Sequence, residues 1–244
     1  LPEYSEKYNT VEIDSWFYRI PDKNIVIKYI ENVGDNFRFT AKVPQIFTKP
    51  LLFGRNTKEV NFDFLSADRF LEFIDVIEPI LPIMTCLIFQ FEYLNKQKME
   101  SLTMFLDKVS VFKEKIPKKI PIAFEIRNSN YIQENYFSTL NELGIMPVLV
   151  EKVYMPPINT VYDRFKSLIN DTLIIRLLGG DRKEIESLTN NKWNRIVAPK
   201  NNIGEIAELI KDASSKINVT VNINNHYEGS GPSSIDRIRK LIVS

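Results

Sequence analysis

The sequence predicts an α/β fold built on a parallel sheet, and three observations carry that expectation. Short runs rich in β-branched and aromatic residues recur seven times, segments of helical period separate them, and no long Gly/Ser linker divides the chain. Strand, helix, strand repeated in this way implies parallel pairing through right-handed crossovers. At 244 residues the chain is long enough for one large barrel domain or two small ones.

The elements follow in order. Helix-like EYSEKYN (3–9) leads directly into the first strand, TVEID (10–14), and FRFTAKV (37–43) is the second. SADRFLEFIDVIE (66–78) places Phe70, Leu71, Ile74 and Ile77 on one helical face ahead of the strand CLIFQFEY (86–93). MESLTMFLDKVSVF (99–112) does the same with Leu102, Phe105, Leu106, Val109 and Phe112, ahead of IAFEIRN (122–128). The helix in YFSTLNELG (136–144) stops at Gly144, a suitable C-terminal cap, before MPVLVE (146–151). TLIIRLL (172–178) and VTVNINN (219–225) complete the strands, and a last helix starts at about Pro232. Seven strands in this rhythm suit an eight-stranded barrel without its first strand, hence a single domain over residues 1–244 that is incomplete at its N-terminal edge. A doubly wound open sheet is the competitor. Against it, no G-x-G-x-x-G follows the first strand.

Composition excludes several function classes. Lys+Arg of 32 against Asp+Glu of 31 leaves a net charge of +1 with no sustained basic run, so nonspecific binding to nucleic acid is disfavoured. The longest apolar stretch, EPILPIMTCLIFQF (78–91), is interrupted by two prolines and too short to span a bilayer, which predicts a soluble protein with no membrane partner. The single cysteine, Cys86, excludes an internal disulfide and suits the reducing cytoplasm. With one cysteine and one histidine, a closed Cys/His zinc site cannot be assembled, and no metal ligands are assigned. No cofactor is predicted, although carboxylate-bound Mg²⁺ or Mn²⁺ remains allowed.

The strands carry the functional signal. Alternation sends one set of side chains toward the helices and the other to the barrel interior. By that rule Glu12 lies with Asp14, Lys42 with Thr40, Gln90 with Ile88, Glu125 with Arg127, Arg176 with Ile174, and Asn222 and Asn224 with Thr220. Buried charges are costly unless paired. Three acids and three bases near the C-terminal ends of successive strands therefore mark the face on which parallel barrels build active sites. Glu12, Lys42, Glu125, Arg127, Arg176 and His226 are the candidate catalytic residues, with His226 read as a general acid or base.

Substrate-binding candidates surround them. Gly179 and Gly180 follow the sixth strand-like run, TLIIRLL, and Gly229, Ser230 and Gly231 precede the last helix. Glycine permits close backbone approach and a helix start supplies N–H donors, which together predict an anion or phosphate site. Gln90, Asn222, Asn224 and Asn225 would line the mouth. Phe17, Tyr18 and Tyr227, with Trp16 beside them, are placed to stack on a sugar or base or to pack the rim, and Trp193 to cover the mouth.

Taken together, TVEIDSWFYRIP, FRFTAKVPQIFT, FEIRNSNY, IIRLLGGDR and VNINNHYEGSGPSS resemble the successive signature blocks of the YecE-like family. The resemblance implies a TIM-type (β/α) barrel and no established reaction. It also implies that Glu12, Phe17, Tyr18, Lys42, Glu125, Arg127, Arg176, Asn224, Asn225 and His226 occupy the family's recurrent polar and aromatic positions. The family usually begins with a Gly- and Trp-containing strand that is absent here, and it commonly has a histidine where this chain has Leu178.

Three functions compete on these grounds. The first is an enzyme acting on a small polar, phosphorylated or sugar-like ligand. It would be a hydrolase, lyase or isomerase in which Glu125 or Glu12 moves the proton and Lys42 and Arg176 stabilise negative charge. The second is a nucleic-acid-binding protein or endonuclease-like hydrolase, disfavoured because one histidine cannot build a histidine-rich metal cluster. The third is a noncatalytic scaffold whose interior charges only satisfy one another.

Overall fold

The computed structural model of the protein describes residues 1–53 and 58–243. It has the α/β, TIM-type (β/α) fold class that the sequence predicts, with seven parallel strands alternating with helices. The chain divides into two compact units, Leu1–Tyr131 with Ser138–Ile145 and Ile132–Phe137 with Met146–Ser244. Among the described residues no helix is long and apolar enough to cross a membrane.

In the first unit, α1 (Pro2–Ser5) precedes β1 (Thr10–Ile13), α2 (Lys23–Glu31) and β2 (Arg38–Lys42). A short antiparallel pair, β3 (Leu51–Phe53) and β4 (Lys58–Val60), comes next, and then α3 (Ala67–Ile77), β5 (Met84–Gln90), α4 (Leu102–Glu114) and β6 (Ile122–Glu125). The parallel order is β1-β2-β5-β6. The two helices read most clearly from sequence begin at serine caps. Ser66 Oγ accepts from Arg69 N at 3.4 Å, and Ser101 Oγ accepts from Met104 N at 3.1 Å. The cap at Ser101 sets the helix start three residues inside the sequence-predicted segment 99–112.

Alternation along these strands divides apolar from polar. Phe39, Phe89 and Phe124 turn to the helix side, where Phe89 lies 5.2 Å from Phe70, 5.3 Å from Phe112 and 5.1 Å from Phe124, ring centre to ring centre. Burying such rings is the main stabilising term of this unit, at about 1.5–3 kcal/mol for each large apolar side chain. The other face carries Glu12, Thr40, Lys42, Gln90 and Glu125. Register places Glu12 beside Thr40, Lys42 beside Ile88 and Gln90 beside Glu125. Cys86 is buried on the same face beside Thr40.

The second unit holds the parallel strands β7 (Met146–Lys152), β8 (Thr172–Gly179) and β9 (Asn218–Ile223) in that order. Its complete helices are α6 (Ile158–Phe165), α7 (Arg182–Thr189), α8 (Ile203–Ser214) and α9 (Gly231–Val243), while α5 (Glu134–Glu142) contributes only its first turn here. Register sets Val150 beside Arg176 and Arg176 beside Asn222 on one face, and Glu151 beside Leu177 on the other. Glu151 accordingly reaches the helices, accepting from Ile158 N at 3.2 Å and Asn202 Nδ2 at 3.0 Å. Tyr162 of α6 donates to Asp212 of α8 at 2.8 Å, and Lys216 holds the other carboxylate oxygen at 2.6 Å.

Two expectations follow from this packing. Gly179 has φ +80°, and an added Cβ would overlap the carbonyl oxygen of His226 and come within 2.8 Å of Tyr227 Cα. Gly144 also has positive φ, +64°, but has nothing within 4 Å of the same position. In urea unfolding, Gly144→Ala should lose only the backbone strain, about 1–2 kcal/mol. Gly179→Ala should lose clearly more, and equal losses would show that the close approach to His226 is dispensable. Burial first, and then the bond to Asp212, push the Tyr162 phenol up to about 12. Because the folded state holds this proton more tightly, the contribution is complete below the ordinary tyrosine range near pH 10 and is lost as pH rises through about 12. An ultraviolet tyrosinate titration of wild type against Tyr162→Phe should show the difference at the higher pH; a difference centred near 10 would contradict it.

Candidate functional site

In the first unit the polar face ends in two charge groups. Lys42, the last residue of β2, is ion-paired with Asp14 just beyond β1, and its Nζ lies 3.9 Å from Glu12 Oε1. The same ammonium stands 5.4 Å from the centre of the Phe17 ring. Glu12 and Lys42 are largely buried, whereas the Asp14 side chain is 57% exposed, so the cluster opens to water through Asp14. Phe17 meets Tyr18 edge to face at 5.4 Å, and Tyr18 is 70% exposed. A 3₁₀ turn over Ser15–Phe17 brings both rings directly past the end of β1. Trp16 in the same turn goes the other way, into the core 6.1 Å from Phe73 and 6.2 Å from Tyr29, which removes it from the stacking candidates.

The second group lies at the end of β6. Glu125 has no solvent exposure and is ion-paired with Arg127, two residues on. Buried Nε of Arg127 has no hydrogen-bond partner among the described residues, so this guanidinium retains a donor beyond the pair. Asn128 then ties the exit of β6 to the segment after β5, accepting from Leu94 N at 2.8 Å and donating to Leu94 O at 2.9 Å. The sequence also reads Arg127 as a strand residue, but β6 ends at Glu125 and Arg127 returns toward that carboxylate from the loop. Nearby, Lys98 Nζ meets Glu92 Oε2 at 2.6 Å. Glu12, Lys42, Gln90 and Glu125 thus come to one face of four adjacent strands.

The second unit has its own polar assembly. Arg176 is 2% exposed, beside Asn222 in register. His226 has both ring nitrogens facing acceptors, Nδ1 2.7 Å from Asn224 Oδ1 and Nε2 3.3 Å from Glu186 Oε1, and Trp193 stands against the ring at 4.7 Å. The hydrogen bond from Arg182 first, and that from His226 against the opposing effect of burial, hold the Glu186 carboxyl below the usual range. Tyr227 is wholly buried, with Lys200 Nζ 6.0 Å from its ring centre. Burial, then the charges of Glu151 and Glu228, push its phenol up.

Glu228, absent from the sequence-derived candidates, organises the loop before α9. Fully buried, it accepts from Ser234 Oγ at 2.7 Å and Lys200 N at 2.8 Å and is paired with Arg237, while its carbonyl takes Val197 N at 2.8 Å. Gly229 has φ +111°, and a Cβ there would lie 2.7 Å from Arg195 O. Asn225 Oδ1 accepts from Gly231 N at 2.8 Å, and Ser230 Oγ from Ser233 N at 3.3 Å. The signal available in the sequence was a lone acid among small residues in YEGSGPSS, followed by Arg237 one helical face away. Among the described residues no three His, Cys, Asp or Glu side chains form a group able to hold a metal ion.

Comparison with known proteins adds the lineage. The family described as "Protein of unknown function DUF72" matches over residues 1–244. A DUF72 family protein of Enterococcus faecalis V583 superposes with a TM-score of 0.72 at 19% identity, over 99% of this chain and 87% of that one. Another from Thermotoga maritima MSB8 gives 0.66 at 16%, over 97% and 85%. At these identities the likeness concerns the fold. No curated protein matches the chain.

Breaking the Glu228 pair from the Arg237 side leaves a carboxylate without its counter-charge in a site closed to water. Arg237→Ala is expected to lower stability by about 2–3 kcal/mol, below the roughly 3–5 kcal/mol typical of fully buried pairs because the Arg237 side chain is 35% exposed. Chemical denaturation at neutral pH measures it, and a loss below about 0.5 kcal/mol would mean that Ser234 and Lys200 N suffice.

Proposed function

We propose, for a chain that belongs to the DUF72 family, that it is an enzyme acting on a small polar ligand, phosphorylated or sugar-like, at the C-terminal ends of its parallel strands. One observation carries the reading. A single face of β1, β2, β5 and β6 delivers Glu12, Lys42, Gln90 and Glu125 to the ends of their strands or just short of them, with Arg127 immediately beyond. A structural sheet would place apolar residues there, since buried charge costs several kcal/mol before it is compensated.

The roles follow from chemistry. Glu125 is the proton-transfer group, with Arg127 fixing its orientation, and Glu12 is the second carboxylate across Lys42. Lys42 stabilises negative charge that develops on the substrate, in surroundings where water competes weakly. Gln90, beside Glu125 in register, orients a substrate hydroxyl or carbonyl. Arg176, buried in the second unit, has the same anion-stabilising character. The single buried cysteine fits a cytoplasmic setting.

The test is a screen of the purified chain with chromogenic nitrophenyl glycosides, phosphates and carboxylic esters, alongside thermal shifts with sugars, sugar phosphates and inorganic phosphate. A ligand at a hundred times its Kd adds about 2.7 kcal/mol of stability, which such a shift resolves. Glu125→Gln is expected to reduce turnover at least about 100-fold with binding retained. Turnover indifferent to both Glu125→Gln and Glu12→Gln would overturn the acid–base assignment. No turnover and no shift would favour the scaffold.

A further inference from the structure

We infer that the ligand is a neutral sugar, one face of its ring seated on Tyr18 and its hydroxyls bonded to Asp14 and Lys42. The inference rests on the proposed function and narrows its substrate class. Three independent observations carry it.

The first is charge. On the polar face of the first unit, Lys42 is engaged by Asp14 with Glu12 at 3.9 Å, and Arg127 by Glu125, so three carboxylates meet two cations. A phosphate would enter a face already negative on balance. Sugar hydroxyls instead donate to carboxylates and accept from ammonium and guanidinium groups, and they carry no charge to be matched.

The second is the state of the helix starts expected to hold phosphate. At α9, Gly231 N donates to Asn225 Oδ1, Pro232 has no N–H, Ser233 N donates to Ser230 Oγ and Ser234 N to Ser230 O. Every donor of that first turn is used within the protein, and the carboxylate of Glu228 lies against Ser234. At α7, Asp181 Oδ1 accepts from Lys183 N at 2.8 Å and Glu184 N at 3.4 Å. Both helix starts thus already hold an oxygen of this chain where an anion would sit.

The third is where aromatic surface is exposed. Among the described residues, the strongly exposed rings are Tyr18, Phe62, Tyr93 and Tyr154. Tyr18, Tyr93 and Tyr154 follow directly on the C-terminal ends of the parallel strands β1, β5 and β7, whereas Phe62 follows β4 of the antiparallel pair. Tyr154 has φ +70°, a conformation that is costly for a tyrosine. Tyr18 combines an exposed ring with polar neighbours of the right kind, supported edge-on by Phe17, whose own ring stands beside the Lys42 ammonium paired with Asp14. An aromatic plate next to a carboxylate and an ammonium matches the two surfaces of a pyranose, apolar C–H faces and a polar rim.

Saturation-transfer NMR on the full chain tests this with methyl glycosides of glucose, galactose, mannose and xylose, cellobiose and maltose, and separately with inorganic phosphate and glucose 6-phosphate. The expected result is transfer to at least one neutral sugar, weakened at least tenfold in apparent affinity by Tyr18→Ala and retained by Tyr18→Phe. Asp14→Asn should weaken it as well. Tyr18 is exposed enough for these variants to fold, which their thermal unfolding verifies. Binding of the phosphates without any neutral sugar overturns the inference and leaves the proposed function standing. Sugar binding indifferent to Tyr18→Ala also overturns it, and binding of neither class overturns both.

Discussion

A carboxylate without solvent must find its counter-charge and its donors inside the protein, and in each unit one such group fixes the arrangement around it. Glu125 closes β6 with no exposure, and its arginine arrives from two residues further on, so the chain must turn back immediately after the strand. Asn128, wholly buried next in that turn, clamps Leu94 through both its amide atoms. Four demands therefore fall within one pentapeptide, FEIRN: a ring for the core, a buried acid, a base to meet it and an amide to lock the neighbouring exit. Glu228 acts in the same way, drawing the backbone at Lys200 and the first turns of α9 onto one carboxylate.

The same constraint bears on how firmly the proposed site is held. Side chains serve chemistry when their own supports leave them little freedom. In the first unit the helix-facing rings Phe39, Phe89 and Phe124 are fully buried, and those of Phe89 and Phe124 also pack against each other. They hold the strands whose opposite face carries Glu12, Lys42 and Gln90. Strand alternation thus separates the two faces, with apolar burial supplying stability on one and paired charge gathered on the other, where we place the proposed site.

The same period-2 logic is why so much was legible in the sequence. All seven parallel strands stand within a few residues of their sequence positions, because β-branched and aromatic runs bounded by helical segments leave little choice. Glu12, Lys42, Gln90 and Glu125 share a face as alternation requires. The β3–β4 pair escaped because three-residue strands carry no periodicity to read. Arg127 was assigned to a strand because alternation says nothing about where a strand stops. Glu228 escaped for a related reason: its partners Lys200, Ser234 and Arg237 are gathered by loop geometry, which leaves no regular spacing.

The glycines make the sharpest case of what a pattern can and cannot specify. A glycine pair after one strand and a Gly-Ser-Gly before a helix imply that something approaches the backbone closely, and that implication is met. Gly179 lies against the carbonyl of His226, Gly229 against that of Arg195, and Gly231 against that of Ile223. In all three the approaching group is the protein's own main chain. Absence of a side chain signals proximity but is silent about the identity of the neighbour, and an anion and a carbonyl oxygen need the same clearance. What separates them is the destination of the N–H donors. Here those donors are spent on Asn225, Ser230 and Asp181, so the loops serve as internal fastenings, which is why the proposed ligand is placed at the strand ends and the rings beside them.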